Sequence, residues 1–331
     1  MTRHDEFRGV GVALVTPFRG DGAIDESELA RLVDFQIENG TNFIVPCGTT
    51  GENPALSQDE MKRVVEIVVK RAKGRVPVLA GAGSNSTDKA VELALTAHEL
   101  GAAGILTITP YYNKPTPDGL RRHFGAQADA LAKRSARLPM IMYNVPGRTG
   151  VNMTAATTLQ LAKEIPMIAG VKEASGNMEQ ILSILRDRDH DFLVLSGDDA
   201  WTLPLIAAGA DGIISVAANE IPALMSEMTA SALGGDFAGA RKIHERILPL
   251  MTGNFIESNP IPVKTAMKMM GILESDYVRS PLAPITDANR KKLEAILREV
   301  VHSERSEEST VPRRRRGATP PTAKSRRTST A

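Results

Sequence analysis

Eight short apolar, β-rich runs alternate with amphipathic helical patterns along most of this chain, and the first run is not followed by a glycine-rich dinucleotide turn. Those observations predict an α/β fold, a (β/α)8 TIM barrel, since eight strands each followed by a helix is the count that closes a barrel. Length agrees: such barrels take ~250 residues, and the remainder of the 331 residues is accounted for by a C-terminal helical appendix and a disordered basic tail. A doubly wound open sheet is the competing architecture. It calls for a Gly-rich turn after strand one, where Val15-Thr16-Pro17-Phe18 stands instead.

The predicted strands are 10–17, 42–47, 76–80, 104–109, 139–144, 168–172, 192–196 and 212–216. Most are continuous apolar stretches, as expected of parallel strands buried on both faces. The helices between them are 27–39, 57–73, 86–100, 116–133, 154–163, 177–186, 202–208 and 221–233. Leu29, Leu32, Val33 and Ile37 share one stripe of the first. Ser57 with Glu60 three residues later is a capping box for the second, whose buried face carries Met61, Val64, Val65 and Val68. Three further helices, 236–255, 262–270 and 287–301, follow the last barrel unit and pack on the barrel or on a neighbouring subunit. The expected division is thus barrel 1–235, helical extension 236–302 and tail 303–331. The tail is Ser, Thr, Pro, Arg and Glu with almost no apolar residue, a composition that does not offset its ordering entropy.

Composition narrows the class. Cys47 is the only cysteine, which excludes an intrachain disulfide and fits a reducing compartment. The first eight residues carry four charges and no signal-like apolar run, and no stretch approaches the ~20 apolar residues of a membrane span. A cytoplasmic, soluble protein is expected. Net charge is +1, but Arg313 to Arg316, Lys324, Arg326 and Arg327 supply seven positive charges with no acid among them, so residues 1–311 carry −6. A mildly acidic body argues against nucleic-acid binding. There is no Walker pattern, no His-Glu-x-x-His and no Cys/His set; the six histidines fall at the N-terminus or on helices and their ends. Neither a metal nor a cofactor is expected.

Catalytic groups of such barrels sit where strands end at the C-terminal face. Lys172 stands out, because it follows the apolar run Ile168-Ala169-Gly170-Val171 and lysines are rarely buried unpaired. A salt bridge to Glu173 or a snorkelling stem accounts for it structurally. A desolvated amine with lowered pKa, the nucleophile that Schiff-base chemistry needs, accounts for it functionally. Three of the four tyrosines, Tyr111, Tyr112 and Tyr143, fall at strand ends; Tyr143 suits proton transfer beside Lys172 or a core aromatic with a satisfied hydroxyl. Thr49 and Thr50 in a Gly-bounded turn suit a carboxylate, or simple turn chemistry. Arg148 suits bidentate carboxylate capture, or an ordinary surface loop.

Taken in order, Gly48-Thr49-Thr50-Gly51-Glu52, Thr109-Pro110-Tyr111-Tyr112-Asn113-Lys114-Pro115, Tyr143-Asn144-Val145-Pro146-Gly147-Arg148-Thr149-Gly150, Val171-Lys172-Glu173-Ala174-Ser175-Gly176, Leu195-Ser196-Gly197-Asp198-Asp199 and Asn259-Pro260-Ile261-Pro262-Val263-Lys264 resemble the dihydrodipicolinate synthase family over about residues 7–300. The resemblance implies a lyase that condenses pyruvate with L-aspartate 4-semialdehyde in lysine and diaminopimelate biosynthesis. It implies an imine on Lys172 and a proton relay of Tyr143, Thr49 and Tyr112, with Tyr112 reaching a neighbouring subunit's site. Thr50 would hold the pyruvate carboxylate and Arg148 that of the semialdehyde. Gly197 and Ile214 would contribute backbone contacts. A homotetramer, a dimer of tight dimers, is implied too.

The wider superfamily includes N-acetylneuraminate lyase and 2-keto-3-deoxy-sugar-acid aldolases, which share the lysine and tyrosine; Thr49-Thr50, Tyr111-Tyr112 and Arg148 point to the synthase. A non-catalytic interaction protein is the reading from another class, opposed by the intact set of site residues. A pyridoxal-phosphate barrel would need a phosphate turn that Ser215-Val216-Ala217-Ala218-Asn219 does not provide. In lysine-inhibited members the effector pocket matches Tyr111 and Asn85 here, but Lys89 takes the place of the acid that grips the effector's amine. Gln58 and Met61 supply no replacement, so feedback by lysine is expected to be weak or absent.

Overall fold

The computed structural model describes residues 4–310 of the chain. Eight strands are parallel neighbours: β1 Gly9–Ala13, β2 Phe43–Val45, β3 Leu79–Gly81, β4 Gly104–Ile108, β5 Met140–Asn144, β6 Ile168–Glu173, β7 Leu193–Ser196 and β8 Gly212–Ser215. Their order, β2-β1-β8-β7-β6-β5-β4-β3, leaves β2 and β3 to meet. They do so through a parallel bridge from Ile44 to Val78, with the Ile44 amide donating to the Pro77 carbonyl at 3.1 Å. The barrel is closed. Each predicted strand is present, and all but β6, which runs one residue further to Glu173, are shorter than their apolar runs, because chain such as 14–17 leaves the ladder at the mouth to build loops.

The helices are α1 Glu26–Glu38, α2 Gln58–Ala72, α3 Thr87–Glu99, α4 Pro117–Lys133, α5 Pro146–Thr149, α6 Ala155–Glu164, α7 Met178–Asp187, α8 Thr202–Ala207, α9 Pro222–Leu233, α10 Phe237–Gly253, α11 Ile261–Met269 and α12 Asp287–Thr310. The capping box at Ser57 forms as expected, with Glu60 N bonded to Ser57 Oγ and Ser57 N to Glu60 Oε2. Thr116, Thr154 and Asn177 cap α4, α6 and α7 with their side chains. The single turn α5 was not expected: a Pro at its first position presets the helical φ directly behind β5, placing Arg148 on a rigid turn. Helix α12 runs to Thr310, into the stretch expected to be disordered, because helix-favouring Glu304, Glu307 and Glu308 continue it and no proline intervenes before Pro312. The expected disorder of 311–331 lies outside the described residues.

Two apolar layers hold the barrel. The larger lies between the strands and the helices and extends without a break into α10, α11 and α12, through Leu250, Val263 and Leu293. The smaller fills the lumen and includes Phe7, Phe43, Leu106, Ile141, Leu193 and Ile214. Phe7 packs edge-to-face on Phe43 with centroids 5.6 Å apart, next to Gly104 at the start of β4. It plugs the barrel at the end opposite the strand C-termini. Gly11 makes room for this plug, since a Cβ there would lie 2.1 Å from the Phe43 ring.

Candidate active site

Parallel pairing sets Lys172 beside Tyr143 on β5 and Leu195 on β7. Both neighbours belong to the lumen, and side chains abreast in a parallel sheet share a face, so Lys172 points inward as well. Its amine lies 4.4 Å from the centre of the Tyr143 ring, and the residue is 5% exposed. Burial lowers its pKa from the ordinary lysine value to about 7, opposed by the carboxylate of Asp199 and reinforced by the cation of Arg148. A large neutral fraction therefore exists near neutrality. The alternative pairing with Glu173 does not occur. Adjacent residues of a strand face opposite ways, and Glu173 is bonded to Asn144, Gln180 and the Ser175 amide.

Tyr143 is buried, which raises its phenol above the ordinary range; Thr49, hydrogen-bonded to it, and the nearby Arg148 pull in the other direction. Thr49 belongs to the turn that leaves β2, held by Gly51 N to Gly48 O at 3.1 Å and by Thr16 Oγ1 to Gly51 O at 2.8 Å. Thr50, next in that turn, is buried, and its hydroxyl accepts from Asn259 Nδ2 at 2.8 Å. Arg148 Nη2 donates to the main-chain carbonyl of Asn259 at 3.1 Å. Tyr143, Thr49, Arg148 and Tyr111 line one cleft at the barrel mouth, with a volume of about 230 Å3. That is below the range for drug-sized ligands and admits a small acid.

Gly197 follows β7 against the lysine stem: a Cβ there would sit 3.1 Å from Lys172 Cε and 2.6 Å from the Ala174 Cβ. Ile214 is buried on β8 in the lumen cluster. Tyr112 is not brought into this cluster. It is 86% exposed, with a left-handed backbone (φ 71°) whose amide donates to the Thr149 carbonyl at 3.2 Å.

Asp199 lies in the strand-seven motif, where the sequence pattern assigns it no role. It is buried, bonded to the Ser215 hydroxyl and to the amides of Val216 and Ala217, and is the carboxylate whose charge Lys172 feels. Desolvation raises its own pKa to about 6. The sequence pattern likewise assigns no role to Asn259 and Lys264, although a lysine beside Ile261, Pro262 and Val263 carries the same burial signal as Lys172. Among the described residues no group of three His, Cys, Asp or Glu is placed as metal ligands would be, and no helix is long and apolar enough to cross a membrane.

Residues 6–300 match the model of the dihydrodipicolinate synthetase family. The chain belongs to this family. It is 51% identical over 295 residues to the 4-hydroxy-tetrahydrodipicolinate synthase of Koribacter versatilis, covering 89% of this chain and 96% of that protein. It is 51% identical over 293 residues to the synthase of Geobacter sulfurreducens, covering 88% and 98%. Among solved structures, the chloride-inhibited dihydrodipicolinate synthase of Acinetobacter baumannii complexed with pyruvate superposes with a TM-score of 0.85 at 43% identity, over 89% of this chain and 99% of that one.

Proposed function

We propose that this member of the family condenses pyruvate with L-aspartate 4-semialdehyde to 4-hydroxy-tetrahydrodipicolinate, through an imine on Lys172. The observation that carries the reading is a buried amine, brought to about 7, set against a buried phenol that lines a small cleft at the barrel mouth. The neutral Nζ attacks the ketone carbon of pyruvate, and the ketone oxygen takes protons and leaves as water. Loss of a methyl proton gives the enamine, whose carbon attacks the aldehyde while the aldehyde oxygen is protonated. The semialdehyde amine then adds to the imine carbon, the ring closes, and the Lys172 amine departs.

In this reading Tyr143 and Thr49 pass the protons, and Tyr112, exposed in the single chain, completes the relay of a neighbouring subunit's site. Thr50 holds the pyruvate carboxylate, Arg148 that of the semialdehyde, and Gly197 and Ile214 shape the wall beside the lysine. No cofactor or metal enters any step. A homotetramer built as a dimer of tight dimers and a cytoplasmic location belong to the same proposal. Lys89 lies exposed on α3, and Gln58 is engaged by Glu92 at 2.8 Å; a cation at that place supports weak or absent inhibition by lysine.

Intact-mass spectrometry after borohydride reduction with pyruvate tests the core of the proposal. The wild type is expected to gain a pyruvate-derived adduct and Lys172→Ala none. An unmodified, folded wild type would overturn it. Turnover of a 2-keto-3-deoxy sugar acid or N-acetylneuraminate in preference to the semialdehyde would keep the imine and replace the substrate.

A further inference from the structure

The Asn259–Lys264 motif lies about 210 residues from the β2 turn in sequence and touches it twice. At one end, Asn259 Nδ2 donates to Thr50 Oγ1 at 2.8 Å. At the other, Lys264 Nζ forms an ion pair with Glu52 Oε1 at 2.5 Å and donates to the Tyr277 carbonyl at 2.9 Å. All four side chains are buried, so water does not stand in for a lost partner. Glu52 holds a left-handed backbone, φ 57°, a conformation that a non-glycine residue keeps only when its surroundings enforce it. Helix α11 is therefore fixed against the turn, and Asn259 meets Thr50 at a set position.

A threonine hydroxyl has one proton and two lone pairs. With Asn259 donating into a lone pair, the Thr50 proton is released from local use and left for an outside acceptor. We infer that Asn259 is a positioning residue for pyruvate: by donating to Thr50 Oγ1 it turns the Thr50 proton toward the substrate carboxylate. The inference rests on the reading that Thr50 holds that carboxylate. Asn259 also receives Arg148 on its main-chain carbonyl, so one residue supports both carboxylate-binding side chains, through separable groups. Truncating its side chain affects only the Thr50 arm.

The test is the pyruvate concentration that half-saturates borohydride-trapped adduct on full-length protein, measured for wild type, N259A, T50V and the double variant. A lost hydrogen bond to a charged group changes affinity on the order of tenfold or more. N259A is expected to raise half-saturation by that factor, T50V by at least as much, and the double variant no further than T50V. The KM for the second substrate stays unchanged in N259A, because alanine keeps the carbonyl that Arg148 uses. A full N259A effect persisting on top of T50V, or an unchanged half-saturation, overturns the inference. Should N259A fail to fold, N259D carries the test: its carboxylate accepts the Thr50 proton and draws it from the substrate, so the same rise is expected and its absence refutes. A wild type with no adduct at all refutes the pyruvate reading instead, and is seen before any variant is compared.

Discussion

Replacing Lys172 by methionine should stabilise the protein while abolishing its chemistry. Folding moves this amine from its ordinary value of 10.5 to about 7. At 1.36 kcal/mol per pH unit, that gap is worth ~5 kcal/mol of lost stability whenever the solution is below pH 7. Methionine has a similar length and no charge to desolvate. That figure is already net of the attraction between the amine and the Asp199 carboxylate, which opposes the shift. A gain of up to ~5 kcal/mol at pH 6.5 follows, which at ~2.1 cal/mol/K per residue over a chain of this size raises Tm by up to roughly 7 °C. The sign of the pH dependence follows from a folded pKa below the unfolded one. The unfolded state binds the extra proton between about 7 and 10.5, so wild-type stability climbs through that window and the advantage of K172M shrinks toward pH 9. Calorimetric scans of both proteins at pH 6.5 and pH 9, at one protein concentration, decide the matter. An equal or lower Tm for K172M at pH 6.5, or a gap that widens toward pH 9, refutes the claim that Lys172 is held desolvated at a cost.

Tyr143→Phe removes the buried phenol and should lower kcat by roughly 10²–10⁴, while the pyruvate adduct still accumulates, more slowly, on reduction; undiminished turnover would remove the phenol from the relay. Lys264→Met strands the Glu52 carboxylate inside the protein, and loss of one partner of such a pair costs about 3–5 kcal/mol, read as a matching drop in chemical-denaturation stability. The rate of pyruvate adduct formation should rise as pH passes from 6 to 8, following the neutral fraction of an amine at about 7; a rate flat across that range would place the amine elsewhere. Lysine at sub-millimolar concentration should leave the rate of condensation unchanged, and strong inhibition would show that Lys89 does not repel it.

The barrel was legible because burial on both faces of a parallel strand leaves long apolar runs, and Lys172 was legible because it interrupts one. Its neighbours Tyr143, Thr49 and Arg148 were found as polar residues at strand ends. Asp199 escaped, since Gly197-Asp198-Asp199 reads as an ordinary turn. Its burial comes from the hydroxyl of Ser215 and the amides of Val216 and Ala217 closing over it, a contact between two loops. The bonds of Asn259 to Thr50 and Lys264 to Glu52 join residues about 210 apart, and periodicity is a local signal that carries nothing over such separations. The extension of α12 to Thr310 was missed for another reason: a polar stretch lacking proline gives helix propensity without an apolar stripe.

The aromatic plug of Phe7 on Phe43 makes the lumen a blind well. Whatever reaches Lys172 enters by the mouth, past Thr49, Tyr143 and Arg148, and departs the same way. In such a well the deeper guest has to arrive first and the shallower one settles above it, so the order of events is imposed by plumbing as much as by reactivity. A keto acid already tethered at the floor leaves the mouth to its aldehyde partner, and a molecule that lingers at the rim holds both below it. Traffic at that mouth, rather than chemistry at the bottom, is then a natural place for turnover to be throttled.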